Sequence, residues 1–217
     1  MDAILIIIVL IFSVVVHEVA HAWQARREGD DTAERLGRIT LNPVPHLDFI
    51  GSVLVPMVLY FTHSGFMFGW AKPVPVNPAN FRDYKWGDIR VSLAGIVSNL
   101  GLALLFTLVG AVVFKIGSVA GPLGGVTTAL GRMASYGIFI NLILAFFNLI
   151  PIPPLDGSHV LFHFLPRQAA LQYRRAGRYG LLILMGLLFF LPGAFDVLLR
   201  PVTWLMGAAD AFIRLWI

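Results

Sequence analysis

The sequence predicts an all-α polytopic membrane protein of about five to six transmembrane or re-entrant helices, with a small extended or β element. Hydrophobic residues make up 58% of its 217 positions and charged residues 13%, whereas soluble domains carry about 25% charged residues. Mean hydropathy is +0.80. The basic residues gather in short stretches between apolar runs, the pattern of cytosolic loops. A net charge of +4 and a pI near 9.8 therefore imply no nucleic-acid partner, and aromatic–basic interleaving is absent. There is no cysteine, which excludes disulfides, thiolate metal ligands and a cysteine nucleophile. The length suits one membrane-embedded domain over residues 1–217, with a core at 2–165 and C-terminal helices at 179–217.

The first predicted helix runs from Asp2 to Gln24, long enough to span at ~1.5 Å per residue. Ala20-His21-Ala22 mimics a cleavage site, but Asp2 precedes the apolar run and Arg26 and Arg27 follow it, the reverse of a secretory signal. The expected orientation puts the N-terminus outside and the arginine end in the cytosol. Residues 26–48 read as a polar loop holding Arg26, Arg27, Arg35 and Arg38. The apolar stretch 49–61 is short and contains Pro56. Residues 68–78 are held extended by alternating prolines, because a residue before Pro is pushed out of the helical region. Arg82, Lys85 and Arg90 form a second basic loop, before a helix predicted over 89–114. The glycine-rich stretch 117–131 reads as a loop, and 136–150 as an apolar helix leading into Pro151. A short helix is expected at 159–165, and a third basic loop holds Arg167, Arg174, Arg175 and Arg178. An apolar run at 181–191 follows, then a tail at 201–217 that forms either a short span or an interfacial helix.

Three cytosolic basic loops require an even number of crossings between each pair. Helices 89–114 and 136–150 satisfy this between the second and third loops. Only 49–64 lies between the first and second, so it either crosses and comes back through the proline-rich stretch or, as preferred here, is re-entrant, with its irregular backbone facing protein or water.

His17-Glu18-Val19-Ala20-His21 closes an uncharged run from Ala3 to Val16. Ionisable groups at the end of such a run are costly in lipid, which makes a functional site the default hypothesis. In H-E-x-x-H on a helix, two histidines at i and i+4 project from one face and can share a metal, with the glutamate as general base toward its water. Relative to Arg26, His17 and His21 lie roughly 8–13 Å inside the cytosolic boundary. Catalytic zinc takes three protein ligands plus water. Glu18 points away from the histidine face, since neighbours on a helix diverge by about 100°. Asp156, at the cytosolic end of the 136–150 helix, has matching depth; a Pro-Asp-Gly turn with Asp156 as a helix cap is the alternative.

These stretches together resemble the site-2 protease family of intramembrane zinc metalloproteases. Its hallmarks are H-E-x-x-H on one membrane helix and N-x-x-P-x-x-x-x-D-G later, here His17–His21 and Asn148 to Gly157. Residues 5–165 carry the likeness, which is strongest to compact members lacking PDZ or CBS domains. Leu41-Asn42-Pro43, His46-Leu47-Asp48 and Gly69-Trp70-Ala71-Lys72-Pro73-Val74-Pro75-Val76-Asn77-Pro78 read like theirs. Ile96 after Gly95 and Phe49 after Asp48 depart from the proline that relatives carry. The resemblance implies one Zn²⁺ per chain held by His17, His21 and Asp156, with Glu18 as base. It also implies cleavage of peptide bonds within or near the membrane, so the expected partners are membrane-protein substrates and the lipid bilayer. The expected location is a prokaryotic cell membrane, with the site toward the cytosol.

Asn148 is a candidate contact for substrate backbone, with helix–helix bonding as the alternative. Asn99 and Asn141 are expected to serve packing. His46 and Asp48 read as a solvated turn or as supports of the metal ligands, while His63, His159 and His163 lack partner spacing. The 73–78 stretch offers either an open strand edge for substrate or a plain connector. A metal transporter using the same ligands is the rival class, but it calls for several sites and repeats that this chain lacks.

Overall fold

The computed structural model describes residues 2–61, 70–119, 124–190, 193, 196–197 and 199–215. Three helices dominate: α1 (Asp2–Glu28), α4 (Tyr84–Val119) and α5 (Gly124–Asn148), with the broadest interface between α4 and α5. By length and composition, Asp2–Glu28, Tyr84–Gly117 and Gly124–Asn148 are each able to cross a membrane. Asp2 in the first turn of α1 and Arg26 and Arg27 in its last turn complement the helix dipole. That helix runs one turn past its predicted end because Glu28 is held there by Arg90 of α4 at 2.7 Å.

The glycine-rich stretch corrects the sequence reading. Only 120–123, with Gly121 and Pro122, falls outside the described helices, and α5 already begins at Gly124. An apolar setting overrides glycine's weak helix propensity, because backbone groups there must pair within their own helix. Gly137 has a structural use in this helix, since a β-carbon there would overlap the Phe106 ring of α4.

Between α1 and α4 lie α2 (Thr32–Arg35) and a wide turn, Ile50–Leu54, that leads into α3 (Val55–Phe61). At ~1.5 Å per residue these twelve residues reach about 18 Å, short of the ~30 Å hydrocarbon layer. His63 and the rest of 62–69 lie outside the described residues. From Trp70 to Asn77 the chain is extended, yet no strand is found among the described residues.

After α5 come α6 (Asp156–Phe162), α7 (Arg167–Ala176), α8 (Gly180–Phe190) and α9 (Arg200–Arg214). The basic stretch expected as a loop is thus largely the helix α7. The tail packs Val202 and Ile213 against Ala103, Ala111, Ile138 and Leu142, so α9 belongs to the core of the α4–α5 pair. Its opposite side leaves Trp204 79% exposed.

Candidate metal centre

The i, i+4 spacing on α1 puts His17 and His21 on its buried face, with ring centroids 4.5 Å apart and planes at 84°. Their Nε2 atoms are 3.0 Å apart. Asp156 opens α6 and brings Oδ2 to 3.2 Å from His17 Nε2 and 3.4 Å from His21 Nε2. It does not cap its helix: Leu155 occupies the cap position and no side-chain cap bond forms. Gly157 allows this approach, because a β-carbon there would meet the Ile150 carbonyl oxygen at 2.9 Å.

The other ring nitrogens fix what the Nε2 atoms offer. His21 Nδ1 lies 2.7 Å from the Val91 carbonyl oxygen, and His17 Nδ1 lies 2.5 Å from Asn99 Oδ1. Both partners only accept, so each Nδ1–H donates and Nε2 is the nitrogen left to ligate a metal. Asp156 Oδ2 is buried with no hydrogen-bond partner. Zinc bonds of ~2.0–2.1 Å in a tetrahedron separate the donor atoms by about 3.3 Å. The observed edges of 3.0, 3.2 and 3.4 Å fit that figure. Two imidazole nitrogens and one orphaned carboxylate oxygen make a donor set suited to a divalent cation. Among the described residues it is the one such cluster of three.

The sequence reading missed how much of this α4 builds. Asp88, Val91, Gly95 and Asn99 recur at helical spacing and form one stripe facing the site. Gly95 leaves room for the imidazoles: a β-carbon there would lie 2.5 Å from His17 Cε1 and 2.7 Å from His17 Nε2. Asp88, buried, takes His163 Nε2 at 2.8 Å and His159 Nδ1 at 3.4 Å, tying α6 to α4. Sequence could not pair them, because the partners lie more than seventy positions apart.

Glu18 is half-buried, and its Oε2 accepts from the Val74 N–H at 2.8 Å. The extended segment is pinned along this edge, with Trp70 N donating to Gly51 O and Lys72 N to His46 O. Arg38 holds the carbonyls of Lys72 and Pro73 at 2.9 and 3.3 Å, and Asp30 takes the Asn77 N–H at 2.7 Å. On the opposite edge Pro73 and Pro75 have no N–H to give, which blunts strand addition there. The geometry therefore favours a pinned connector over an open edge.

His46 and Asp48 are not the solvated turn expected. His46 is 1% exposed with Nε2 on the Thr40 carbonyl, and Asp48 accepts from Gly51 N at 2.7 Å. His46 joins the extended segment through its carbonyl, which accepts from Lys72 N at 2.9 Å. Asn148 donates to Leu144 O within its own helix at 2.9 Å.

Comparison with known proteins agrees with this construction. Residues 80–191 match the model of peptidase family M50, a stretch that contains Asp88, Gly95, Asn99 and Asp156. YwhC of Bacillus subtilis, whose name assigns it as a zinc metalloprotease, is 38% identical over 187 residues, covering 86% of this chain and 80% of that one. Rip2 of Mycolicibacterium smegmatis, similarly named, is 30% identical over 85% of this chain and 66% of its own. MJ0611 of Methanocaldococcus jannaschii is 39% identical over a shorter stretch, 33% of this chain and 32% of its own. No solved structure matches. With a His–Glu–His helix, an aspartate of matching depth and relatives covering most of its length, the chain belongs to peptidase family M50, the site-2 protease family, and is a membrane metallopeptidase.

Proposed function

We propose that this protein is a zinc-dependent endopeptidase that cuts transmembrane segments of membrane proteins inside the bilayer. His17, His21 and Asp156 hold one Zn²⁺ per chain, and Glu18 is the general base. The observation that carries this reading is the triangle of donor atoms, with edges of 3.0 to 3.4 Å, just after the uncharged run Ala3 to Val16 of α1. When bound, zinc supplies Lewis acidity, which lowers the pKa of water toward about 7 and polarises a scissile carbonyl.

The chain's own residues do the rest. Glu18 accepts a proton from the attacking water and passes it to the leaving amine. The Val74 N–H holds one Glu18 oxygen, and the other is the one that would take the proton. Asn148 spends one of its two N–H donors on the Leu144 carbonyl, and its second N–H and Oδ1 are the groups it would offer a substrate backbone.

Placement follows from charge. With Arg26 and Arg27 in the cytosol, α1, α4 and α5 are three spans and Asp156 returns to the cytosolic side. The 50–61 segment dips in and returns, and α8 and α9 complete five to six membrane elements. Packing of α9 on α4 and α5 supports one domain over 1–217, with its core at 2–165 and the C-terminal helices at 179–217. Relatives in bacteria and an archaeon support a prokaryotic cell membrane. Metal transport without hydrolysis needs further sites along a path, and the described residues supply one.

The test uses purified protein in liposomes with a single-span test substrate. Wild type is expected to cut it, and Glu18→Gln to leave it intact while keeping its zinc. Cleavage by Glu18→Gln at the wild-type rate would reject the assignment.

A further inference from the structure

We propose that Asn99 is a positioning residue that presents the lone pair of His17 Nε2 to the metal, and that Asn141 and Ser13 set its orientation. The proposal rests on the reading of His17 as a ligand. Asn99 on α4, Asn141 on α5 and Ser13 on α1 are each 0% exposed. Asn99 Nδ2 donates to Asn141 Oδ1 at 2.8 Å, and Asn141 Nδ2 donates to Ser13 Oγ and to the Gly137 carbonyl, both at 2.8 Å.

The direction of this chain has one consistent solution. A backbone carbonyl only accepts, so the Gly137 oxygen requires the NH₂ group of Asn141 on its side. The Asn141 oxygen then faces Asn99, which must answer with its own NH₂. That turns Asn99 Oδ1 toward His17, and an oxygen without hydrogen there requires the proton on His17 Nδ1. The lone pair of Nε2 is left facing Asp156 and His21. On the other histidine the Val91 carbonyl does the same directly. One backbone carbonyl thus sets His21, and another, relayed through two amides, sets His17.

A partner of this kind on a metal-bound histidine typically changes metal affinity by about 10–100-fold. Buried amides between helices also act as plain glue, and the two roles separate experimentally. Glue alters unfolding without altering metal affinity, whereas positioning alters affinity in folded protein.

The experiment is competition between a chromogenic chelator and purified metal-free protein for Zn²⁺, with thermal unfolding recorded in parallel. Asn99→Leu, which keeps the side chain's size but offers no acceptor, is expected to bind zinc about 10–100-fold more weakly than wild type. Asn99→Asp restores an acceptor and is expected to recover most of that loss. Wild-type zinc affinity in Asn99→Leu, with only its unfolding temperature lowered, would overturn the proposal. Wild-type affinity in His17→Ala would instead overturn the ligand reading on which it rests. Nitrogen NMR of histidine-labelled, zinc-loaded wild type tests the claim without relying on a variant to fold. The proposal expects zinc on Nε2 and the proton on Nδ1 of His17, and zinc on Nδ1 contradicts it.

Discussion

The Val74 N–H donates to Glu18 at 2.8 Å, joining the extended 70–77 segment to the residue beside the first histidine. A main-chain donor on a carboxylate fixes the rotamer without adding a competing charge. Val74→Pro removes that donor between two prolines whose extended conformation it can share. A bond to a charged group is worth about 1.5–3 kcal/mol, so the turnover rate should fall roughly 10- to 100-fold. Zinc content by metal analysis should stay at the wild-type level. Unchanged turnover would show that Glu18 needs no such anchor.

Gly95 should tolerate no side chain. In an exposed helix, alanine would be favoured over glycine by about 1 kcal/mol. Here the added methyl would occupy the space of the His17 and His21 rings. Gly95→Ala should therefore purify with little zinc while its helical circular dichroism persists. Full zinc occupancy in that variant would mean that α4 can draw back from the histidines.

Asp88 ties the helix bearing Asp156 to α4 through His163 and His159. Asp88→Ala leaves two histidines without their acceptor and should cost about 1–3 kcal/mol. The expected signature is faster hydrogen–deuterium exchange over 156–162, with exchange in the middle of α1 unchanged. Equal exchange in both proteins would remove this clamp from the account.

Asp30, buried after α1, governs how the extended segment responds to acid. Burial pushes its carboxyl up, but bonds from Asn77 N–H, the Thr32 hydroxyl and amide and Asn80 outweigh this and hold it below its ordinary 3.8. A carboxyl lowered in the folded state contributes stability in full above the unfolded value, and loses it as pH falls through the folded one. Protease sensitivity around residues 70–77 should thus rise only below about pH 4 in wild type. In Asp30→Ala it should be high already at neutral pH. A wild-type profile in that variant would assign the pinning to the segment's other bonds, from Glu18, Arg38, His46 and Gly51.

Much of the centre was legible because its signals are local. Two histidines at i, i+4 after an uncharged run point to a shared metal, while depth made Asp156 a candidate ligand beside the helix-cap reading and the family resemblance singled it out. The contributions of α4 were not, since Asp88, Val91, Gly95 and Asn99 matter only through contacts spanning 70 to 82 positions. Gly95 reads as a packing glycine until the imidazoles are seen against it. The helical start of α5 was hidden for another reason: glycine punctuates soluble chains, whereas in an apolar bundle backbone pairing and close helix approach outweigh its propensity. The pairing of Glu18 with Val74 had no signal, because a backbone donor leaves no trace in residue identity.

The most direct test of the central claim is the zinc-to-protein ratio of purified wild type beside Glu18→Gln, His17→Ala, His21→Ala and Asp156→Ala. The account predicts one zinc in wild type and in Glu18→Gln, and strong loss in the other three. Stoichiometric zinc in folded Asp156→Ala would contradict it.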